Sequence, residues 1–406
     1  MRKIGVVADD FTGATDIATA YASRRRRPVV LTDPAGVPAP GTDVVVVALK
    51  TRTAPVEEAV AASLEAYERL RALGCERFTF KYCSTFDSTD RGNIGPVLDA
   101  LAERTGAAHV VVVPAFPGNG RTVYLGHLFV GVDLLEHSPM RHHPLTPMTR
   151  SRLAGILRPQ TRHGVGEIHL ATVRAGAAVL RQAIAVAAEK YLVVDAITDG
   201  DLAVVADATA DDVLVSGAAG LALAAATGDA DPGGSWAAPR GRRLVVCGSA
   251  SARTREQIAH AADQGHPMLR LDVPGLAARP DEVVRSTVDW FERQDPHSAP
   301  VIYSVGRPED LRSGEETAAR TEAALARIVE AAVECGATRC IVAGGETSGA
   351  VVRRLGIAAL RIGGAIAPGV CWAEGVTTGR RRVALALKSG NFGAPDMFTT
   401  AWEVLR

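Results

Sequence analysis

The sequence has no excess of charge, no long apolar run and few cysteines, and each lack excludes something. Its 45 Lys and Arg balance its 45 Asp and Glu, so the formal net charge is zero. Such a chain has no long-range field to hold it on nucleic acid or anionic lipid, and any anion it handles must be met by a local site. No apolar run approaches the ~20 residues that span a membrane. Runs such as Val44 to Leu49 and Val110 to Val113 have the length of a strand. Behind Met1-Arg2-Lys3 the apolar stretch from Ile4 ends at Asp9, too soon for a secretory leader. The six cysteines form no C-x-x-C pair and most stand singly in apolar stretches. They are expected as buried, reduced thiols of a cytoplasmic protein. No Gly-Lys-Ser/Thr occurs, which excludes a Walker loop, and no G-x-S-x-G marks a hydrolase elbow. A dinucleotide oxidoreductase would need a glycine fingerprint after the first strand, where Asp9 and Asp10 stand instead. Arg141-His142-His143 lacks a spaced third ligand, so no metal site follows from it.

What is present is an alternation of short β-branched runs with helical stretches. Ile4–Ala8, Val29–Leu31, Val44–Ala48, Phe78–Cys83 and His109–Ala115 have strand character. Between Val56 and Leu73, apolar residues recur at Val56, Val60, Leu64, Tyr67, Leu70 and Leu73, a helical period that Gly74 ends. Thr15 to Ser23 predicts a helix, and Ile94, Val97, Leu98 and Leu101 line one face of another. The second half continues with strands at Tyr191–Ala196, Val213–Ser216, Leu244–Cys247, Pro300–Val305, Arg339–Ala343 and Val383–Leu387. Helices are predicted over Gly217–Thr227, near Ser251–Asp263 and up to Glu334. The fold class is therefore α/β, two domains, each a mostly parallel sheet flanked by helices. Gly228 to Gly241 is rich in Gly, Pro, Asp and Ser without periodicity, which places the domains at 1–228 and 241–406 with 229–240 as linker. Arg24 to Arg27 is expected as a solvated helix end. Pro114 to Thr149, with five prolines, is expected as a long irregular stretch, and such stretches are often functional.

Three kinds of turn carry chemistry, each at the carboxyl end of a strand, where α/β sheets bind ligands. Asp9 and Asp10 open the helix after the first strand. One acidic residue or Thr12 would suffice as a cap, so the second acid points to a site. Lys81-Tyr82-Cys83-Ser84-Thr85-Phe86-Asp87-Ser88 packs hydroxyls and charges into one loop. Lys81, Ser84 and Ser88 suit the carboxylate and hydroxyls of a small acid sugar, though a polar loop with local turns reads the same way. Arg52 is a further candidate clamp for a carboxylate. In the second half, Gly344-Gly345-Glu346-Thr347-Ser348-Gly349, Gly248-Ser249-Ala250-Ser251 and Ser389-Gly390-Asn391 each follow a strand. Glycines let a backbone approach phosphate, so three such turns on one sheet edge would cradle a nucleotide, where one alone could be only a tight turn. Gly118-Asn119-Gly120-Arg121-Thr122 lacks the lysine of a phosphate loop and is expected as a substrate-side or structural turn.

A-D-D-F-T-G-A near the start, with G-G-E-T-S-G and L-K-S-G-N-F-G near the end, resembles the four-carbon acid sugar kinase family over essentially the whole chain. F-K-Y-C-S-T-F-D-S-T, N-G-R-T-V-Y-L-G, R-H-H-P-L-T-P-M and A-P-G-V-C-W resemble its 3-oxo-tetronate kinase branch. The resemblance implies an N-terminal acid-sugar domain, a C-terminal ATP domain, and transfer from ATP, with Mg²⁺, to the 4-hydroxyl of 3-oxo-tetronate. It implies Asp9 and Asp10 as catalytic residues and Arg52, Lys81 and Ser84 on the substrate side, where the composition of the same loop also places Asp87 and Ser88 as candidates. Ser249, Ser251, Gly344, Gly345, Glu346, Thr347, Ser348, Gly349, Ser389, Gly390 and Asn391 fall on the ATP side, and no residue is assigned to the metal. A threonate or erythronate kinase of the same family, and a sugar-acid sensor without turnover, are the alternatives. A homodimer is expected because sheet edges attract a partner.

Overall fold

The computed structural model describes residues 2–33, 35–143, 146–225, 227–228, 236–311 and 314–405. Residues 229–235 of the expected linker and Pro144 of the proline-rich stretch lie outside the described residues. The chain forms two compact units, Met1–Pro34 with Pro38–Pro232, and Ala35–Val37 with Gly233–Arg406.

In the first unit the strands are β1 (Ile4–Ala8), β2 (Pro28–Leu31), β3 (Val44–Ala48), β4 (Arg77–Lys81), β5 (Val110–Val113), β6 (Arg121–Tyr124), β7 (His127–Val130), β8 (Asp133–Leu134), β9 (Val165–Ile168), β10 (Tyr191–Val194) and β11 (Leu214–Gly217). Eight of them form a parallel sheet in the order β2-β3-β1-β4-β11-β5-β10-β9. Val44 to Val47 and Val110 to Val113 are buried on both faces, which is why these strands are unbroken valine runs rather than alternating ones. The covering helices are α1 (Phe11–Ser23), α2 (Val56–Ala72), α3 (Ile94–Thr105), α4 (Leu153–Leu157), α5 (Leu170–Arg174), α6 (Ala177–Ala185), α7 (Asp199–Ala208) and α8 (Ala219–Leu223).

In the second unit β12 (Arg242–Cys247), β13 (Met268–Arg270), β14 (Val301–Tyr303), β15 (Ala337–Ala343), β16 (Ala359–Ala367), β17 (Val370–Val376) and β18 (Arg382–Lys388) lie in the order β13-β14-β12-β15-β18-β17-β16. The first five are parallel; β17 runs antiparallel to both of its neighbours, β18 and β16. Helices α9 (Ala252–Asp263), α10 (Pro280–Glu292), α11 (Glu315–Glu334), α12 (Gly345–Arg354) and α13 (Met397–Thr400) complete it. A core of Val245, Cys247, Ile258, Ile341, Trp372, Ala386, Phe398 and Trp402 joins the sheet to α9 and α13.

Several expectations need correction. The helix over Gly217–Thr227 is cut to Ala219–Leu223, because alanines give propensity but Gly217 is spent in β11. The proline-rich stretch contains a three-stranded antiparallel sheet, β6-β7-β8, whose turns at Leu125-Gly126 and Gly131 take positive φ. Arg26 is not solvated: it is 5% exposed and its Nε donates to Asp43 at 2.8 Å. The hairpin β16–β17 was not anticipated, since Gly363-Gly364 and two register shifts break its alternation.

Candidate active site

In the first unit, β3, β1 and β4 end level, with Ala8 opposite both Ala48 and Lys81. Their carboxyl ends therefore bring Asp9-Asp10, the turn at Thr51-Arg52 and the Lys81–Ser88 loop to one edge. The Asp9 carbonyl accepts from the Thr51 and Arg52 amides at 2.9 and 3.2 Å. Asn93 Nδ2 donates to the carbonyls of Thr51 and Ala54 at 2.7 and 2.8 Å. The backbone carrying Arg52 is thus fixed from both sides.

The guanidinium of Arg52 does not stand free as a ligand clamp. Its Nε donates to Asp9 Oδ2 at 2.9 Å, and its Nη2 donates to Asp9 Oδ1 at 2.8 Å and Asp10 Oδ1 at 2.7 Å. Nη1 lies 3.8 Å from Asp87 Oδ2. A bidentate fork of this kind is among the strongest hydrogen-bonded pairs a protein makes. Burial pushes the Asp9 carboxyl up, and Arg52 offsets this only in part. At Asp10 burial also pushes upward, but Arg52 and Lys81 outweigh it and hold the carboxyl below its usual range.

Asp10 is the N-cap of α1, accepting from the Gly13 amide at 3.0 Å and from Thr12 Oγ1 at 2.7 Å. The capping and site readings of the acidic pair therefore both describe it. Its side chain is 24% exposed against 6% for Asp9, so Asp10 is the member of the pair that a ligand can reach.

Lys81 is buried, with Nζ donating to the Tyr82 carbonyl at 3.0 Å and lying 4.0 Å from Asp16. A Cβ at Gly13 would sit 2.2 Å from Asp10 Oδ1 and 2.8 Å from Lys81 Nζ, so only glycine lets these charges close over the helix start. Burial raises the Asp16 carboxyl to about 6 against the opposing pull of Lys81. The sequence reading passed over Asp16, although a carboxylate in a helix buried from Phe11 to Tyr21 was its signal.

Ser84 is partly exposed at the loop tip. Asp87 accepts from Thr85 Oγ1 at 2.5 Å. Ser88 is 4% exposed and donates to Gln160 Oε1 at 3.1 Å, so its hydroxyl holds the fold and is not turned to a ligand. Phe86 takes φ 52°, rare for an aromatic residue, and is fully buried with its ring edge-on to Tyr82 at 5.3 Å.

In the second unit Cys247, Ala343 and Lys388, the last residues of β12, β15 and β18, lie opposite one another. The three Gly/Ser turns consequently leave the same edge. The Gly248 and Ser249 amides both donate to the Ala343 carbonyl, and the Gly344 amide to that of Lys388. A Cβ at Gly248 would come within 2.1 Å of Thr347 Oγ1, and one at Gly390 within 2.4 Å of Ser249 Oγ. Ser251 caps α9 by accepting from the Thr254 amide and donates to the Gly390 carbonyl at 2.6 Å. Gly345 opens α12, with Glu346 exposed in its first turn. Thr347, Ser348 and Gly349 are buried, and Ser348 faces the Val342 carbonyl at 3.4 Å. Of the expected nucleotide residues, Ser249, Ser251, Gly345, Glu346, Ser389, Gly390 and Asn391 present surface, and the buried ones form the wall behind. Lys388 was missed. It ends an apolar strand, as Lys81 does, and that placement was its signal.

Residues 4–225 match a family described as a sugar-binding N-terminal domain, and residues 244–398 one described as a nucleotide-binding C-terminal domain. A 3-oxo-tetronate kinase of Cupriavidus necator is 43% identical over 99% of this chain and 97% of its own. That of Burkholderia multivorans is 44% identical over 99% of this chain and 97% of its own. Among solved structures, Haemophilus influenzae protein HI1011 superimposes with a TM-score of 0.81 at 37% identity, covering 99% and 100% of the two chains. A Salmonella typhimurium structure, provisionally described as a tRNA synthase, reaches 0.90 at 40% identity over 99% of each chain.

Proposed function

Since this chain belongs to the four-carbon acid sugar kinase family, we propose that it transfers the γ-phosphoryl group of ATP to the 4-hydroxyl of 3-oxo-tetronate, giving ADP and 3-oxo-tetronate 4-phosphate. The observation that carries this reading is the full-length likeness to proteins named 3-oxo-tetronate kinase, which extends across both the sugar-binding and the nucleotide-binding parts.

The reaction forms a bond from the acceptor oxygen to the γ-phosphorus, breaks the bridging bond to the β-phosphate, and releases the hydroxyl proton. Positioning and charge stabilisation dominate such transfers. We assign the proton to Asp10, the reachable member of the pair, with Asp9 and Arg52 fixing its orientation. Ser84 is the substrate-side hydroxyl with surface to offer, and Lys81 supplies positive potential from beneath. The turns at 248–251, 344–349 and 389–391 hold the polyphosphate. Mg²⁺, carried on the ATP phosphates, would neutralise part of their charge. Among the described residues no group of three His, Cys, Asp or Glu is placed to hold a metal ion, which suits an ion brought by the nucleotide.

ADP release measured with a panel of four-carbon acids tests the reading. Turnover confined to 3-oxo acids supports it, whereas turnover with threonate or erythronate assigns a different acceptor, and none with any acid rejects the class. We also infer a cytoplasmic homodimer. The six cysteines are free thiols, and no helix among the described residues is long and apolar enough to cross a membrane. A single-chain mass in solution would refute the dimer.

A further inference from the structure

Among the described residues of the second unit Lys388 is the most deeply buried cation, with no exposed surface at all. It stands under the turns just described. Its Nζ donates to Thr254 Oγ1 and to the Gly390 carbonyl, both at 3.0 Å, while its own carbonyl accepts from the Gly344 amide at 2.9 Å. One residue thereby ties together the turns after β12, β15 and β18. The Gly390 carbonyl accepts from three donors, Ser251 Oγ at 2.6 Å, Thr254 Oγ1 at 2.9 Å and Lys388 Nζ. It is held inward, away from any anion approaching the turn.

What Lys388 lacks is a countercharge. Among the described residues no carboxylate lies within ion-pair distance of it. The ionisable groups that bear on it are Cys247 of β12 and Arg253 of α9. Cys247 is a buried thiol pushed up to about 12, so it stays neutral, and Arg253 has the same sign. The remaining neighbour is the Phe398 ring of α13, 6.0 Å from Nζ to its centroid. An uncompensated ammonium in such a place is costly unless an anion arrives to meet it. Desolvation accordingly lowers Lys388 to about 8.

We propose that Lys388 is the buried countercharge of the nucleotide polyphosphate, a positioning residue that holds the three turns together and takes up a proton when nucleotide binds. The proposal rests on the reading of this unit as the ATP-binding one. With the polyphosphate over the turns, the charged amine is stabilised and the Gly390 loop is drawn onto α9. Without it, the amine sheds its proton near neutral to mildly alkaline pH.

The test is calorimetric titration of the whole protein with magnesium ADP between pH 7 and 9, in buffers of different ionisation enthalpy. The wild type is expected to take up a fraction of a proton per ADP near pH 8. Its affinity should fall several-fold as pH rises to 9. Lys388→Arg, which cannot lose its charge, is expected to bind with no proton uptake and little pH dependence. Lys388→Met should weaken ADP about 10- to 100-fold at pH 7 and raise the KM for ATP more than it lowers kcat. ADP binding without proton uptake in the wild type overturns the proposal while leaving the kinase reading intact, and needs no variant to fold. Absence of ADP binding altogether overturns the kinase reading itself. A Lys388→Met protein of lowered stability but wild-type affinity reduces Lys388 to a packing residue and also overturns the proposal.

Discussion

Arg52 and Asp9 face each other through two parallel hydrogen bonds of 2.9 and 2.8 Å, with the Asp9 side chain 6% exposed. This pair takes an arginine that the sequence offers to the substrate and turns it into the support of the acidic pair. Removing one partner leaves a buried charge unmatched. Arg52→Met is therefore expected to destabilise the first unit by roughly 3 kcal/mol, with Arg52→Lys intermediate because it keeps the charge but not the fork. Urea unfolding of the three proteins measures this, and equal midpoints would refute it.

Asp10 combines a helix cap with the proposed proton acceptor, and one substitution separates the two. Asparagine caps as well as aspartate but gives up the charge that Arg52 and Lys81 meet, so Asp10→Asn should lose about 1 to 2 kcal/mol of stability. Its turnover should drop on the order of 100-fold or more, the scale of a lost general base. An unimpaired rate of ADP release in Asp10→Asn would return the residue to a purely structural role.

Asp16 gives the first unit a pH dependence of known sign. Its carboxyl is raised by burial from 3.8 to about 6, so between those values the folded chain holds a proton that the unfolded chain has lost. The stability linked to this group is present below pH 4 and is lost as pH rises through 6, by about 1 to 3 kcal/mol. Asp16→Asn should remove that slope, read as the difference in unfolding free energy between variant and wild type across pH 4 to 7. Parallel curves would refute the assignment.

Gly390 lies where a side chain would enter the turn. A Cβ there comes 2.4 Å from Ser249 Oγ and 3.0 Å from Ser251 Oγ. Gly390→Ala should raise the KM for ATP about 10-fold with little change in Tm, the scale of a side chain intruding on a binding surface. Gly95→Ala is the contrasting case, since its Cβ would meet Gln160 backbone and side chain at 2.5 Å. It is expected to cost about 1–3 kcal/mol of stability and leave the KM for ATP unchanged. Steady-state kinetics beside thermal unfolding distinguishes the two.

The sequence by itself determined the α/β alternation, because valine runs such as Val44 to Val47 and Val110 to Val113 alternate with helical stretches and bury on both faces, as strands of a helix-covered parallel sheet do. It also marked the turns of Asp9, Ser84, Ser249, Gly345 and Gly390, since polar and glycine residues directly after an apolar strand are a local signal. The tertiary structure alone decided which side chains those turns present. Arg52 was taken by Asp9 from 43 residues away, and Ser88 by Gln160 from 72 residues away. The hairpin of β16 and β17 likewise depends on partners that its own glycine-interrupted pattern does not announce. Lys388 shows the reason most plainly. Its place at the end of an apolar strand flags Lys388, as it does Lys81, but that local pattern does not separate an exposed lysine from a buried one. Its burial comes from Cys247, Thr254 and Phe398, brought around it by the sheet and by the packing of α9 and α13. A charge gains its chemical role from what excludes water from it, and the fold sets that.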